Sequence, residues 1–230
     1  EIATPRDAHR VRLASLDEGP VRIIGWAVER RGPGLIYENH GTVGATVALL
    51  GRMRRQTLAA ELADSRPQLI VFAFGTNEGF DDTLDPQQYA VDFRARVAAL
   101  GQMAPGAAIL VLGPPDGNRR ARSCPPADRQ AMRCSPASAD PCRWREPPRL
   151  AAVRRVQREA AKSAGWAFWD WSKAMGGTCG IDRLAVADPP LAYPDHVHLT
   201  DLGYEESADV LYFDLMNAYA AWKRRGASGS

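Results

Sequence analysis

Apolar residues follow two rhythms along this chain, and the change from one to the other sketches its architecture. Val11 to Leu16 and Val21 to Val28 read as β-like runs, separated by Asp17-Glu18-Gly19-Pro20, a turn composition that predicts a hairpin. A third short run, Gly34 to Tyr37, leads into the small-residue turn His40-Gly41-Thr42-Val43-Gly44. Val47, Leu50, Met53, Leu58 and Leu62 then recur at helical spacing until Pro67 stops the pattern. Beyond it strands and helices alternate: strand Gln68 to Phe74, helix Pro86 to Leu100, strand Ala107 to Leu112, helix Leu150 to Ala164 and strand Ala167 to Trp171. Continuously apolar strands alternating with amphipathic helices predict an α/β fold, a three-layer α/β/α arrangement around a parallel sheet. The last helix, Asp201 to Arg225, has Thr200 as its N-cap, Glu205 and Glu206 early and Lys223-Arg224-Arg225 at its end, as capping and the helix dipole favour. Gly226 to Ser230 reads as a disordered tail.

Composition narrows the class without choosing a function. With 230 residues, 45% of them hydrophobic and 24% charged, the chain is that of a globular protein with room for one good core. A net charge of +2 gives no electrostatic footprint for nucleic acid, and the arginine runs at 52–55 and 119–122 read as solvated faces. The longest apolar runs, Leu69 to Phe74 and Ala107 to Leu112, fall far short of the roughly 20 residues of a membrane-spanning helix. No charged start followed by an apolar stretch opens the sequence, so a signal peptide is expected to be absent or already removed.

Three of the four cysteines, Cys124, Cys134 and Cys142, crowd into a Pro- and Arg-rich loop, and Cys179 lies further on. A loop with little core of its own gains from cross-links, and with no C-x-x-C pair, zinc is the weaker alternative. Disulfides imply an oxidising compartment, periplasmic or secreted, the alternative being four reduced thiols in a cytosolic protein. Of the three connectivities open to four cysteines, Cys124 with Cys134 and Cys142 with Cys179 is expected, since the first pair closes a short loop.

Ligands of an open parallel sheet bind at the carboxyl ends of its strands, which directs attention to Gly75-Thr76-Asn77-Glu78, to the glycine turn ending at Gly44, and to Asp195-His196-Val197-His198-Leu199-Thr200. Asp195 and His198 are spaced so that a carboxylate and an imidazole from one tight loop lie side by side, as a general base and its orienting acid require. Asn77 and the backbone N–H of Gly44 are candidate donors to an oxyanion. Taken singly, Asn77 and Gly44 also suit ordinary turns, and His198 a helix entry.

Together these blocks resemble the SGNH (GDSL-type) serine hydrolase superfamily from about Gly32 to Trp222, the most specific stretch being Asp195-His196-Val197-His198-Leu199-Thr200-Asp201-Leu202-Gly203-Tyr204. Within it the chain looks most like peptidoglycan O-acetylesterases, in Pro33 to Ala45, in Phe74 to Glu78, and from Trp169-Asp170-Trp171 to Met175-Gly176-Gly177. The resemblance implies Asp195 and His198 as acid and base, Gly44 and Asn77 as the oxyanion hole, and no metal or other cofactor. It also exposes a departure: no Gly-Asp-Ser nucleophile block occurs, and the only serine before Gly44, Ser15, lies in the predicted hairpin. In the resembled esterases a β-sandwich module can separate the serine block from the glycine block. On that basis residues 1–31 are expected to be the end of such an inserted carbohydrate-binding-like module, and 32–225 a hydrolase domain lacking its first strand, with the serine carried by a missing N-terminal segment.

The resulting expectation is an esterase removing acetyl or similar groups from cell-wall or exported polysaccharide. Its partner is an acylated carbohydrate, with no nucleic acid and no membrane span. An O-acetyltransferase with the same residues and a non-catalytic carbohydrate-binding protein are the alternatives. Trp166, Phe168, Trp169 and Trp171 suit stacking on sugar rings but favour the core. Asp81, Asp82 and Asp85 read as a solvated loop, His196 as pointing to solvent, and His40 as either pocket-lining or structural.

Overall fold

The computed structural model describes residues 12, 14–16, 18–21, 32–121, 123–124 and 133–227. The chain divides into two compact units, Glu1–His40 and Gly41–Ser230. Most of the expected hairpin lies outside the described residues, as do residues 228–230 of the expected tail. The run from Gly34 to Tyr37 forms no strand, and Leu35, Ile36 and Tyr37 are exposed.

The second unit opens with a 3-10 turn, Val47–Gly51, and continues with α1 (Arg55–Ser65), β1 (Leu69–Phe72), α2 (Thr76–Gly79), α3 (Pro86–Met103), β2 (Ala108–Gly113), α4 (Pro148–Ala164), β3 (Ala167–Asp170), α5 (Trp171–Ala174), α6 (Gly180–Ala185) and α7 (Asp201–Ala227). The single helix expected after Gly44 is thus two elements. The break falls at residues 52–54, between the 3-10 turn and α1. At the other end of the chain, α7 carries on through Gly226 and Ala227, which the sequence assigns to the tail.

β1, β2 and β3 form a parallel sheet in that order, with Phe72 opposite Val111 and Val111 opposite Phe168. Helices cover both sides of it, the α/β/α arrangement expected. Side chains alternate across a strand, so the register sends Phe72, Val111 and Phe168 to one face. There they form the core with Phe93 and Val97 of α3 and Val153, Val156 and Ala160 of α4. On the opposite face Leu110 and Trp169 are buried, and the Trp169 indole N–H donates to Asp214 of α7 at 2.9 Å. Nearer the edge that face is open: Leu69 and Val71 of β1 remain 49% and 48% exposed.

Candidate active site

Of the three candidate blocks, Gly75 to Glu78 follows the carboxyl end of β1, Asp195 to Thr200 enters α7, and the turn ending at Gly44 follows no strand and precedes the 3-10 turn. After β1 the chain turns at Gly75 (φ 127°), where a Cβ would meet Val153 Cγ1 at 3.0 Å and Gln157 Nε2 at 2.7 Å, so only glycine fits. This close approach starts α2, which carries Asn77 and Glu78. Asn77 Nδ2 donates to the Ala45 carbonyl at 2.8 Å, and the buried Glu78 carboxylate accepts the Val47 N–H at 2.7 Å. Both bonds fasten the Thr42–Ala45 turn, closed by Ala45 N–H donating to Thr42 O and carrying Gly44 at φ 74°. The structure therefore brings Asn77 and Gly44 together. Because an amide nitrogen has two hydrogens, one of those on Asn77 remains available. Burial pushes the Glu78 carboxyl above its usual range, against the lowering effect of backbone N–H donors from Val47, Glu78 and Gly75.

Asp195 and His198 also meet. With Nδ1 protonated, the His198 ring donates to Asp195 Oδ2 at 2.7 Å, while Asp195 Oδ1 accepts the N–H groups of Val197 at 2.9 Å and His198 at 3.0 Å. Burial would raise the Asp195 carboxyl, but the His198 ring and these two N–H groups outweigh it and hold the acid below its usual range. The loop is anchored into α7 by Thr200, whose Oγ1 accepts the Gly203 N–H at 3.2 Å, the expected N-cap. The side chains of His198 and Asp195 are partly solvent-accessible.

The two pairs belong to one edge of the sheet. Asn118, on the loop after β2, donates its N–H to the His196 carbonyl at 2.8 Å, and the neighbouring Arg119 donates to the carbonyl of Phe80, just past α2. His196 itself corrects its expected place in solvent. It is 7% exposed, adopts φ 57°, and its ring lies flat on Trp144 with centroids 3.9 Å apart and planes 9° from parallel. Burial pushes its pKa down against the raising effect of the Asp182 and Asp195 carboxylates, with Arg133 and Arg120 pushing the same way as burial. Trp144, Asp182 and Arg133 carry no motif, and only their convergence in space marks them.

The disulfides are Cys124–Cys142 and Cys134–Cys179, which overturns the expected pairing. The reason is tertiary: residues 133–135 lie beside the start of α6, where Arg133 Nε donates to Asp182 Oδ2 at 2.6 Å, so Cys134 is within reach of Cys179. Among the aromatics, Trp169 is buried, Trp166 and Phe168 pack on the main core, and Trp171 packs on the smaller core of Met175, Ile181 and Leu199. Asp81 accepts from Thr83, Asp82 pairs with Arg119, and Asp85 caps α3 through the Gln87 N–H. His40 lies exposed, 3.5 Å from Glu38, in the first unit. Among the described residues no helix is long and apolar enough to cross a membrane.

The sequence profile of the GDSL-like lipase/acylhydrolase family matches residues 9–206. The chain belongs to that family. A solved structure of a peptidoglycan O-acetylesterase is similar with a TM-score of 0.64 and 25% identity, over 77% of this chain and 45% of that one. An acetyl xylan esterase shares the fold at a TM-score of 0.51 and 13% identity, over 74% of this chain and 76% of that one. The chain thus spans less than half the length of the O-acetylesterase it matches. No curated protein matches it significantly.

Proposed function

We propose that this family member is the acid–base portion of a carbohydrate O-acetylesterase whose nucleophilic serine is carried on a segment preceding Glu1. The observation that carries the reading is the Asp195–His198 pair: a carboxylate held ionised by three donors, bonded at 2.7 Å to one ring nitrogen of an accessible imidazole whose Nε2 has no partner among the described residues. In an ester hydrolase His198 Nε2 takes the serine proton as Oγ attacks the acyl carbonyl, and Asp195 stabilises the imidazolium that forms. The second Asn77 N–H and the Gly44 N–H then donate to the tetrahedral oxyanion. Loss of the alcohol, with the proton returned from Nε2, leaves an acyl-enzyme that water hydrolyses by the same base. The likeness to an O-acetylesterase supports an acetylated glycan as substrate, and two disulfides support an extracytoplasmic location.

Surface chemistry supports a covering segment as well. Leu69 and Val71 lie half-exposed on the open face of β1, while Tyr212, Phe213, Met216, Tyr219 and Trp222 stand exposed on α7. Apolar surface of this extent calls for a cover, and a strand beside β1 with a helix against α7 would supply one. In the test, a fluorophosphonate probe leaves the 230-residue chain unlabelled and labels a serine of the preceding segment when that segment is restored. Removing a triad nucleophile costs on the order of a millionfold in turnover, so the chain alone should be nearly inactive. Labelling of Ser15, abolished by His198→Ala, would show instead that the chain supplies its own nucleophile.

A further inference from the structure

His196 stands between the acid and the base of the proposed pair, yet its buried ring packs on Trp144 of the cross-linked loop between β2 and α4. A non-glycine residue at φ 57° is costly and persists only where its surroundings over-determine it. Here they do. The ring is stacked on Trp144. Its main-chain carbonyl accepts from Asn118 and its N–H donates to Tyr193 O at 3.1 Å. Its Nδ1 lies 3.5 Å from Asp182 Oδ1, and the other oxygen of Asp182 is bound by Arg133. Arg120 lies over Trp144 at 5.4 Å from the ring centroid. Trp144 is held in turn by its carbonyl, which accepts the Ser135 N–H at 3.1 Å, and by the reciprocal backbone bonds of the adjoining Arg145 with Arg119. Cys134–Cys179 closes the circuit by tying the residue next to Arg133 to the N-cap of α6, the helix that carries Asp182.

The consequence falls on the neighbours of His196. Directly after its left-handed turn the N–H groups of Val197 and His198 both donate to Asp195 Oδ1, which leaves Oδ2 for the His198 ring. We propose that Trp144 and His196 form a positioning pair: the stack of the His196 ring on Trp144 fixes the loop conformation in which Asp195 and His198 are aligned, making the disulfide-laced loop a functional part of the site. This rests on Asp195 and His198 being the acid and base, but the alignment itself is measurable without turnover.

The test therefore has two arms. In the 230-residue chain, nitrogen-15 NMR of the His198 ring reports whether Nδ1 carries the proton donated to Asp195. In the protein with its preceding segment, kcat and KM are measured on an acetyl ester. Trp144→Ala is expected to abolish the protonated-Nδ1 signature and to lower kcat about 10²-fold, the usual cost of a 1 Å misplacement, with KM nearly unchanged. Trp144→Phe, which keeps a ring to stack on, should restore most of both. His196→Asn retains a residue that tolerates positive φ but removes the ring, and it should behave like Trp144→Ala. If His196→Asn or a folded Trp144→Ala keeps the wild-type His198 signature, the stack does not position the pair and the inference is overturned. Should Trp144→Ala fail to fold, Trp144→Phe and His196→Asn decide by the same signature. Loss of the signature in these variants, with wild-type protein inactive on every ester, would leave the positioning intact and overturn the esterase reading instead.

Discussion

Asp195 takes three hydrogen bonds through two oxygens, and that arrangement governs what substitution and acid should do to it. Asp195→Asn keeps the size of the side chain but presents His198 with the wrong tautomer partner. In the serine-bearing protein kcat is expected to fall on the order of 10⁴-fold with the fold intact, checked by ester kinetics beside a melting curve. The direction of the shift also fixes a pH dependence. A carboxyl lowered on folding contributes stability above its unfolded value of about 3.9 and loses it as pH falls through the lower folded value. Glu78 has the opposite sign, because burial raises it: its contribution is full below the ordinary glutamate range and declines as pH rises through the folded value. Glu78→Gln keeps an oxygen for the Val47 N–H without the buried charge, so its melting temperature relative to wild type should be higher at pH 7.5 than at pH 4.5. An identical difference at both values would mean that Glu78 does not titrate with folding.

At the level of elements, close backbone approaches hold the site in place. Gly79, at the end of α2, faces α4 so tightly that an added Cβ would lie 2.8 Å from Leu150 Cα, and one at Gly203 in the first turn of α7 would lie 2.9 Å from the Leu191 carbonyl carbon. Backbone cannot rotate away as a side chain can. Gly79→Ala and Gly203→Ala should each cost about 1–3 kcal/mol, whereas Gly106→Ala, with no neighbour within 4 Å, should change stability little. Urea denaturation of the three variants checks the ordering. The cross-links act at the same scale: Cys134–Cys179 closes 45 residues of chain, and removing such a bond typically costs about 2–5 kcal/mol. The double variant Cys134→Ser, Cys179→Ser should melt correspondingly earlier.

For the molecule as a whole, the uneven covering of the sheet is the property with consequences. One face is sealed by α3 and α4, while the other leaves Val71 half-exposed, and α7 shows Phe213 and Trp222 at 63% exposure each. The 230-residue chain is expected to bind a hydrophobic dye and to self-associate in sedimentation, and restoring the preceding segment should suppress both. Equal dye binding with and without that segment would show that the face is covered by something else or by nothing.

The sequence by itself determined the three strands and the long helices α3, α4 and α7, though not the short α2, α5 and α6, because continuous apolar strands and sustained helical spacing are local signals that a parallel α/β fold satisfies without conflict. It also put Asp195 and His198 within reach of each other in one tight loop and placed the Thr200 cap, both from short spacings in the chain, while the alignment of the pair was left to the loop's tertiary surroundings. What only the tertiary structure decided depends on contacts between segments far apart. The disulfide partners follow from where residues 133–135 settle against α6. The inward turn of His196 follows from a tryptophan 52 positions earlier in the chain. A histidine between two site residues reads as solvent-facing while only its neighbours in sequence are known. Its stacking partner and its carboxylate come from a loop and a helix that no local pattern connects to it.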